Sequence, residues 1–297
     1  MAGRAPMSAF DYTVFITLIT IALSFIIYKK YFISNISSTA LDPTTYKKFK
    51  LIKRTDVNHN VAIFRFSLES STQRLGLPVG QHMFLRFYDD SGKPVSRAYT
   101  PISSDDDIGY FDLMIKLYPT GKMSQYLQSR TIGDLVDVRG PSGALKYLGD
   151  GLFEIHRKSG SVRRHVTHCG MIAGGSGITP MLQIIREVTK NKTSDTLHKS
   201  LIFGNVSTND ILLRDELDAV QKLNDDRFKL HYVVDKQPDT EWHYSVGYIT
   251  PEIIDKYLPK PGDDTLILLC GPKIMCDIMT KHLKESLNFT DDMIFSY

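Results

Sequence analysis

Hydrophobic and polar positions along this chain follow three successive rhythms. From Tyr12 to Tyr28 runs a stretch of 17 uncharged residues, bounded by Asp11 and by Lys29-Lys30. Its length sits at the lower limit for a membrane-spanning helix. A cleaved secretory signal is the competing reading, but the run is longer than a usual signal core and no small-x-small site precedes Lys29. Short extended runs at 48–55, 61–68, 82–88, 94–100, 109–117 and 135–139 then follow, each strand-like in length and composition and divided by turn residues such as Asp90-Ser91-Gly92. One helical segment at 121–127 interrupts them. Six such strands predict a small antiparallel β-barrel.

From Cys169 onward the rhythm changes again. Apolar strands at 169–173, 200–204, 228–234 and 265–270 alternate with helical periodicity after Thr179-Pro180, over 210–222 and over 251–257, the last again capped by a Thr-Pro pair, Thr250-Pro251. Repeated strand-helix units predict a parallel sheet with right-handed crossovers and a ligand crevice at the strands' carboxyl ends. The expected organisation is a membrane anchor at 1–33 with its helix at about 12–28, a polar tether at 34–45 and a barrel domain at 46–148. A polar, basic linker at 149–165 and an α/β domain at 166–297 complete it.

Composition narrows the choice of partners. A chain of 297 residues can hold two domains of ordinary size, and a net charge of +3 without a long basic run argues against nucleic acid. Cys169, Cys270 and Cys276 are too few and too badly spaced for a disulfide framework or an iron-sulfur site, and no metal site is expected. A reduced compartment fits. The lysines at 29, 30, 47, 48 and 50 would keep the body on the cytosolic side of a membrane, and a short span suits a thin bilayer such as the endoplasmic reticulum.

Four stretches carry candidate chemistry. In Arg97-Ala98-Tyr99-Thr100-Pro101, strand alternation puts Arg97 and Tyr99 on one face, so a guanidinium suited to phosphate lies beside a ring suited to a flat heterocycle. An ordinary strand end is the plain alternative. Gly121-Lys122-Met123-Ser124 reads as a glycine turn entering a helix, where free amides and a lysine attract anions, or as simple serine capping. The run Gly174-Gly175-Ser176-Gly177-Ile178-Thr179-Pro180-Met181 follows an apolar strand, with Thr179 suited to the N-cap and Pro180 to the first helical position. Bare amides there can face a diphosphate, although proline stands where the third glycine of a Rossmann fingerprint would be. Asp235 and Cys270-Gly271-Pro272, with Met275, fall at the other strand ends. Asp235 can accept hydrogen bonds from ribose hydroxyls and repel a 2′-phosphate, or be a solvated carboxylate. Cys270 can equally be a small buried side chain.

These motifs, in this order, resemble the ferredoxin-NADP reductase superfamily, and within it the NADH-cytochrome b5 reductase family. The likeness covers about residues 46–297 and includes Leu-Gly-Leu-Pro-Val-Gly-Gln-His at 75–82, Arg97 to Asp107, Gly121 to Leu127 and Asp-Ile-Leu-Leu-Arg at 210–214. The resemblance implies that Arg97, Tyr99, Thr100 and Pro101 hold FAD, with Gly121, Lys122, Met123 and Ser124 on its phosphate side. It implies that Thr179 lies by the flavin and that Gly175, Ser176 and Gly177 lie by the NADH diphosphate. Asp235 would stand by the adenosine ribose, and Cys270, with Gly271 and Pro272, by the nicotinamide. Lys116 resembles a lysine that aids NADH binding, and His59 a histidine near the flavin. Thr179, Cys270 and Lys116 are the residues expected nearest the chemistry. The implied partner is cytochrome b5, an acidic haem protein. Four departures stand out: a short Tyr118-Pro119-Thr120-Gly121 loop, Ser176 where threonine is common, Lys273 where proline is usual after Cys-Gly-Pro, and Tyr297 in the place of a terminal aromatic that often shields the flavin. A reductase for a quinone or another haem protein, and a nucleotide-sensing flavoprotein without turnover, are the alternative readings.

Overall fold

A computed structural model of the chain describes residues 17–25 and 39–297, apart from 159, 192, 225 and 240. Residues 17–25 are helical. The rest of the expected anchor helix, 12–16 and 26–28, lies outside the described residues, and so does 34–38 of the tether. Among the described residues no helix is long and apolar enough to cross a membrane.

The first domain is an antiparallel sheet built from β1 (Lys47–Asn58), β2 (Val61–Ser67), β3 (His82–Tyr88), β4 (Pro94–Tyr99), β5 (Tyr110–Lys116) and β6 (Leu135–Ser142), with α1 (Lys122–Gln128) between the last two. The spatial order is β4-β3-β6-β1-β2-β5. Alternate residues of all these strands except edge strand β4 enter one core, among them Phe49, Phe64, Phe66, Leu85, Phe111, Leu113 and Val138. The sheet therefore wraps around its own apolar face. Its two edge strands meet where Ile102, just past β4, donates its N–H to the Asp112 carbonyl of β5 at 2.9 Å.

The stretch 149–165, expected as a linker, is instead structured. With β7 (Leu145–Tyr147), strands β8 (Leu152–Arg157) and β9 (Gly160–His165) make a three-stranded antiparallel sheet. Phe153 and Ile155 bury one face, while Lys146, Glu154 and Arg163 pair on the other. The alternation was masked because β9 keeps almost only polar side chains on its exposed length.

The second domain holds a six-stranded parallel sheet. Its strands are β10 (His168–Gly174), β11 (His198–Asn205), β12 (Phe228–Val234), β13 (Ser245–Val246), β14 (Thr265–Cys270) and β15 (Ile294–Ser296), in the order β13-β12-β11-β10-β14-β15. Helices α2 (Ile178–Lys190) and α3 (Arg214–Leu223) belong to one face, and α4 (Pro251–Tyr257) and α5 (Lys273–Lys281) to the other. The expected helix over 210–222 starts four residues late, because a short turn at Thr208–Asp210 and Leu213 at φ 57° intervene. Buried Asp195 locks the two domains through β7: it accepts from the Tyr147 hydroxyl, and from the N–H of Asp150 at 3.0 Å and of Leu197 at 3.2 Å.

Thr250 caps α4 as the sequence predicts, and the helix packs Tyr257 flat on His231 of β12 with ring centroids 3.6 Å apart. Burial, reinforced by Lys256, pushes the His231 imidazole down to about 4. An exposed imidazole titrates near about 6.5. The unfolded chain therefore takes up this proton first, so the contribution is fully present above about pH 6.5 and is lost as pH falls toward about 4. Melting curves across that window should show the wild type losing more stability than His231→Gln; parallel pH profiles would remove His231 from the acid response.

Candidate functional site

Most of the expected site residues meet in one interdomain cleft of about 480 Å³. The barrel contributes Arg97, Ala98, Tyr99 and Thr100 from the end of β4, Lys116 from β5, and Gly121, Lys122, Met123 and Ser124 from the start of α1. The α/β domain contributes Gly174, Ser176, Gly177, Thr179, Cys270, Gly271, Pro272 and Tyr297. Arg97 is exposed, and its guanidinium donates to the carbonyl of neighbouring Ser96 at 2.7 Å, which leaves most of its donors available. Burial pushes the Tyr99 phenol up to about 12, against the pull of Arg97, so the ring is neutral at physiological pH.

Local geometry explains how the α/β side reaches the cleft. Strand β10 ends at Gly174, residues Gly175–Gly177 form a tight turn, and α2 starts at Ile178 with Gly177 at its N-cap. Thr179 is therefore inside the first turn and not the cap; its hydroxyl donates back to the Ser176 carbonyl at 3.2 Å. A Cβ on Gly177 would stand 2.2 Å from the Cys270 carbonyl oxygen, so only glycine lets this turn approach β14. Burial pushes the Cys270 thiol up to about 12, which keeps it protonated and unsuited to nucleophilic attack. Tyr297 completes the wall, and its buried hydroxyl has no hydrogen-bond partner among the described residues.

Gly175 and Asp235 lie next door, in a larger crevice of about 750 Å³. It opens at the carboxyl ends of β10, β11 and β12, as parallel-sheet topology predicts. Lys116, Tyr118, Gly174 and Pro272 line both spaces, so the crevice and the cleft share a wall. Asp235 is exposed at the end of β12. The sequence reading missed the crevice's apolar side, formed by Tyr248, Ile274, Ile278 and Met279; Tyr248, 84 % exposed, stands two residues before the Thr250-Pro251 cap, and no motif marks it.

Three expectations are corrected. Pro101 lies outside the cleft, in an adjoining interdomain groove with Ile102 and Arg186, because it ends the strand and turns the chain away. His59 is exposed, 3.9 Å from Asp210, and lines neither space. Ser124 does not cap α1: Gly121 is the N-cap without a side-chain bond, and the serine hydroxyl faces the Lys116 carbonyl at 3.5 Å. Lys122 does line the cleft, but its ammonium is held by Asp89 at 2.8 Å, which keeps that carboxyl well below the usual range.

A stripe of side chains along α2 fixes the two halves. Gln183, Arg186 and Lys190, three and four residues apart, share a helix face. Gln183 accepts from the Gly80 N–H of the barrel at 3.1 Å, Arg186 donates to the Ile102 carbonyl, and Lys190 pairs with Asp106. Arg186 is also held bidentately by Glu216 of α3 at 2.6 and 2.7 Å. In the NADH-driven reaction implied by the resemblance, Arg186→Ala should lower kcat on the order of tenfold by loosening alignment, with flavin content retained and Arg186→Lys intermediate. Unchanged kcat would show that the stripe does not set the geometry.

Comparison with known proteins agrees with this architecture. Residues 48–147 match the family model of the oxidoreductase FAD-binding domain, and residues 171–281 that of the oxidoreductase NAD-binding domain. NADH-cytochrome b5 reductase 1 of Scheffersomyces stipitis is 44% identical over 95% of this chain and 92% of its own length. The human NADH-cytochrome b5 reductase 1 is 44% identical over 87% of this chain and 88% of its own. In three dimensions the chain is similar to the crystal structure of the cytochrome b5 reductase domain of Ulva prolifera nitrate reductase, with TM-score 0.80 and 34% identity over 88% of this chain and all of that one. An antiparallel FAD-binding domain that shares a wall with the nucleotide crevice of a parallel-sheet NAD-binding domain, in a chain this similar to curated reductases, leads to one conclusion: the chain belongs to the NADH-cytochrome b5 reductase family of FAD-dependent oxidoreductases.

Proposed function

We propose that this reductase is anchored in a membrane by its N-terminal segment, takes hydride from NADH onto FAD, and passes single electrons to cytochrome b5. The observation that carries the reading is the shared wall of Lys116, Tyr118, Gly174 and Pro272, which would bring a nicotinamide in the crevice against a flavin in the cleft. The residues present suit both groups. Arg97 supplies a cation with free donors for a diphosphate, Tyr99 a neutral ring for the isoalloxazine, and the orphaned Tyr297 hydroxyl a polar group that a bound ligand would satisfy. Bound FAD supplies the conversion of a two-electron donation into single-electron transfers.

The chain's own residues then orient and shield. Thr100, Gly121, Met123 and Ser124 close the barrel side, with Thr179, Cys270 and Gly271 opposite. Gly175 to Gly177 offer bare backbone to the NADH diphosphate, Asp235 accepts from the adenosine ribose, and Lys116 reaches both spaces. Lys122 serves mainly to hold the Asp89 hairpin beside the cleft, which leaves less of its charge for steering an acidic partner.

Anchoring is supported by the run from Tyr12 to Tyr28 and by Leu18, Ile21 and Phe25, which lie at least 60 % exposed on the helix at 17–25. The lysines flanking the run support a cytosol-facing body in the endoplasmic reticulum or outer mitochondrial membrane.

Two measurements test the reading. With NADH as donor, cytochrome b5 reduction should be fast and should slow as ionic strength rises; a quinone or another haem protein reduced far faster than cytochrome b5 would replace the acceptor, and NADH oxidation with none of them would favour the sensor. Asp235→Ala should relax the preference for NADH over NADPH on the order of tenfold. An unchanged preference would remove Asp235 from the ribose site.

A further inference from the structure

The amino-terminal end of the parallel sheet carries a second polar cavity, of about 450 Å³, that the reductase reaction does not use. It lies at the first residues of β10, β11, β12 and β14 and against α4. The nucleotide crevice opens at the opposite ends of the same strands, about 20 Å away at about 3.3 Å per residue. Five lysine or arginine side chains line the cavity (Lys199, Arg227, Lys229, Lys256 and Lys260) against two carboxylates, Asp226 and Asp264, an excess of three positive charges before any histidine is protonated. His168 and His198 add two imidazoles, stacked with centroids 5.3 Å apart.

The acids present are already engaged. Asp226 approaches Arg227 at 3.9 Å, and Asp264 is bonded to Thr167 and lies 3.4 Å from His168. Lys260 is tied to Asp255 outside the cavity. Among the described residues, Lys199, Lys229 and Lys256 make no ion pair. Lys199 is the unusual one. It is 2% exposed, among the described residues its ammonium has only the Leu197 carbonyl at 3.4 Å as a hydrogen-bond partner, and burial pushes its pKa down to about 8 against the opposing pull of Asp195. Its nearest carboxylate is the buried Asp195, and strand alternation turns Lys199 to the face opposite Ser200, so Lys199 borders the cavity while Lys229 and Lys256 supply its unpaired charges.

We infer that this cavity binds a small anion bearing one or more phosphate groups, held by Lys229 and Lys256 with Ser200 and the His168–His198 pair at its side. Lysines and imidazoles present point donors that suit the several oxygens of a phosphate. The space is large enough for a diphosphate or an inositol phosphate and too polar for an apolar ligand. Phosphate of this kind can come from a free metabolite or from a lipid headgroup, and both would be read by the same side chains. The site is separate from the FAD and NADH spaces, so occupancy need not compete with turnover.

The test uses the full chain with FAD bound and NAD⁺ at saturation, so that the nucleotide crevice is filled. Pyrophosphate is titrated while the side-chain NMR signals of His168 and His198 are followed, first in the wild type and then in a Lys229→Ala, Lys256→Ala double variant. Saturable shifts of both histidines are expected, with apparent affinity at least tenfold weaker in the double variant and NADH oxidation equal in the two proteins. Inositol 1,4,5-trisphosphate is titrated in parallel. Tighter binding of the inositol phosphate identifies a lipid headgroup as the source, and tighter binding of pyrophosphate a free metabolite. No saturable shift with either probe, or equal affinity in the double variant, overturns the assignment.

Discussion

The function of this molecule depends on how helix α2 is clamped. Its first turn carries Thr179 to the interdomain cleft, and three residues further along its length grip the barrel at Gly80, Ile102 and Asp106. Apolar packing also crosses the interface, where Val61 and Met114 of the barrel join the core of the α/β domain; without such ties two domains of one chain ordinarily rock against one another. Here the grip is distributed over a neutral hydrogen bond, a guanidinium shared between two domains and an ion pair. Arg186 matters most, since it joins the end of the Arg97–Pro101 segment to α3 through Glu216. One side chain thus couples the strand that would hold FAD to the domain that would hold NADH.

Desolvation sets the chemistry of the cleft. Tyr99 and Cys270 are both driven toward their neutral forms by burial, leaving Arg97, Lys116 and Lys122 as the charges around the space. A neutral ring and a neutral thiol suit a site where the cofactors carry the reaction and the protein supplies shape and field. The same parallel sheet concentrates a different chemistry at its other end, where lysines and histidines gather without enough carboxylates. Strand polarity therefore separates two anion-attracting regions on one scaffold.

Much of this was legible in the sequence because a strand buried on both faces of a parallel sheet reads as a continuous apolar run. The strands at 228–234 and 265–270 and the helix at 251–257 match the observed elements in full. Two Thr-Pro pairs show where local reading stops. Thr250 caps its helix, accepting from the Ile253 N–H at 3.4 Å, because extended chain precedes it. Thr179 follows a glycine turn that is already helical, so the cap moves back to Gly177. The hairpin at 152–165 was hidden by its charged outer face, Pro101 leaves the cleft because it ends its strand, and the place of His59 on the β1–β2 turn away from the cleft follows from how the barrel closes. Motif spacing pointed to the glycines, Arg97, Tyr99 and Asp235, which line the cleft or the crevice; it did not mark Tyr248 and Ile274, which reach the crevice from segments distant in the chain.

The central claim is that the shared wall brings nicotinamide and flavin into direct contact. Anaerobic rapid mixing of the FAD-loaded protein with NADH deuterated on one or the other face of its nicotinamide C4 tests this most directly. The account predicts that bleaching of the flavin band slows markedly with one stereoisomer and not with the other, as a single fixed stacking geometry requires. Bleaching insensitive to both labels, or equally sensitive to both, would contradict it.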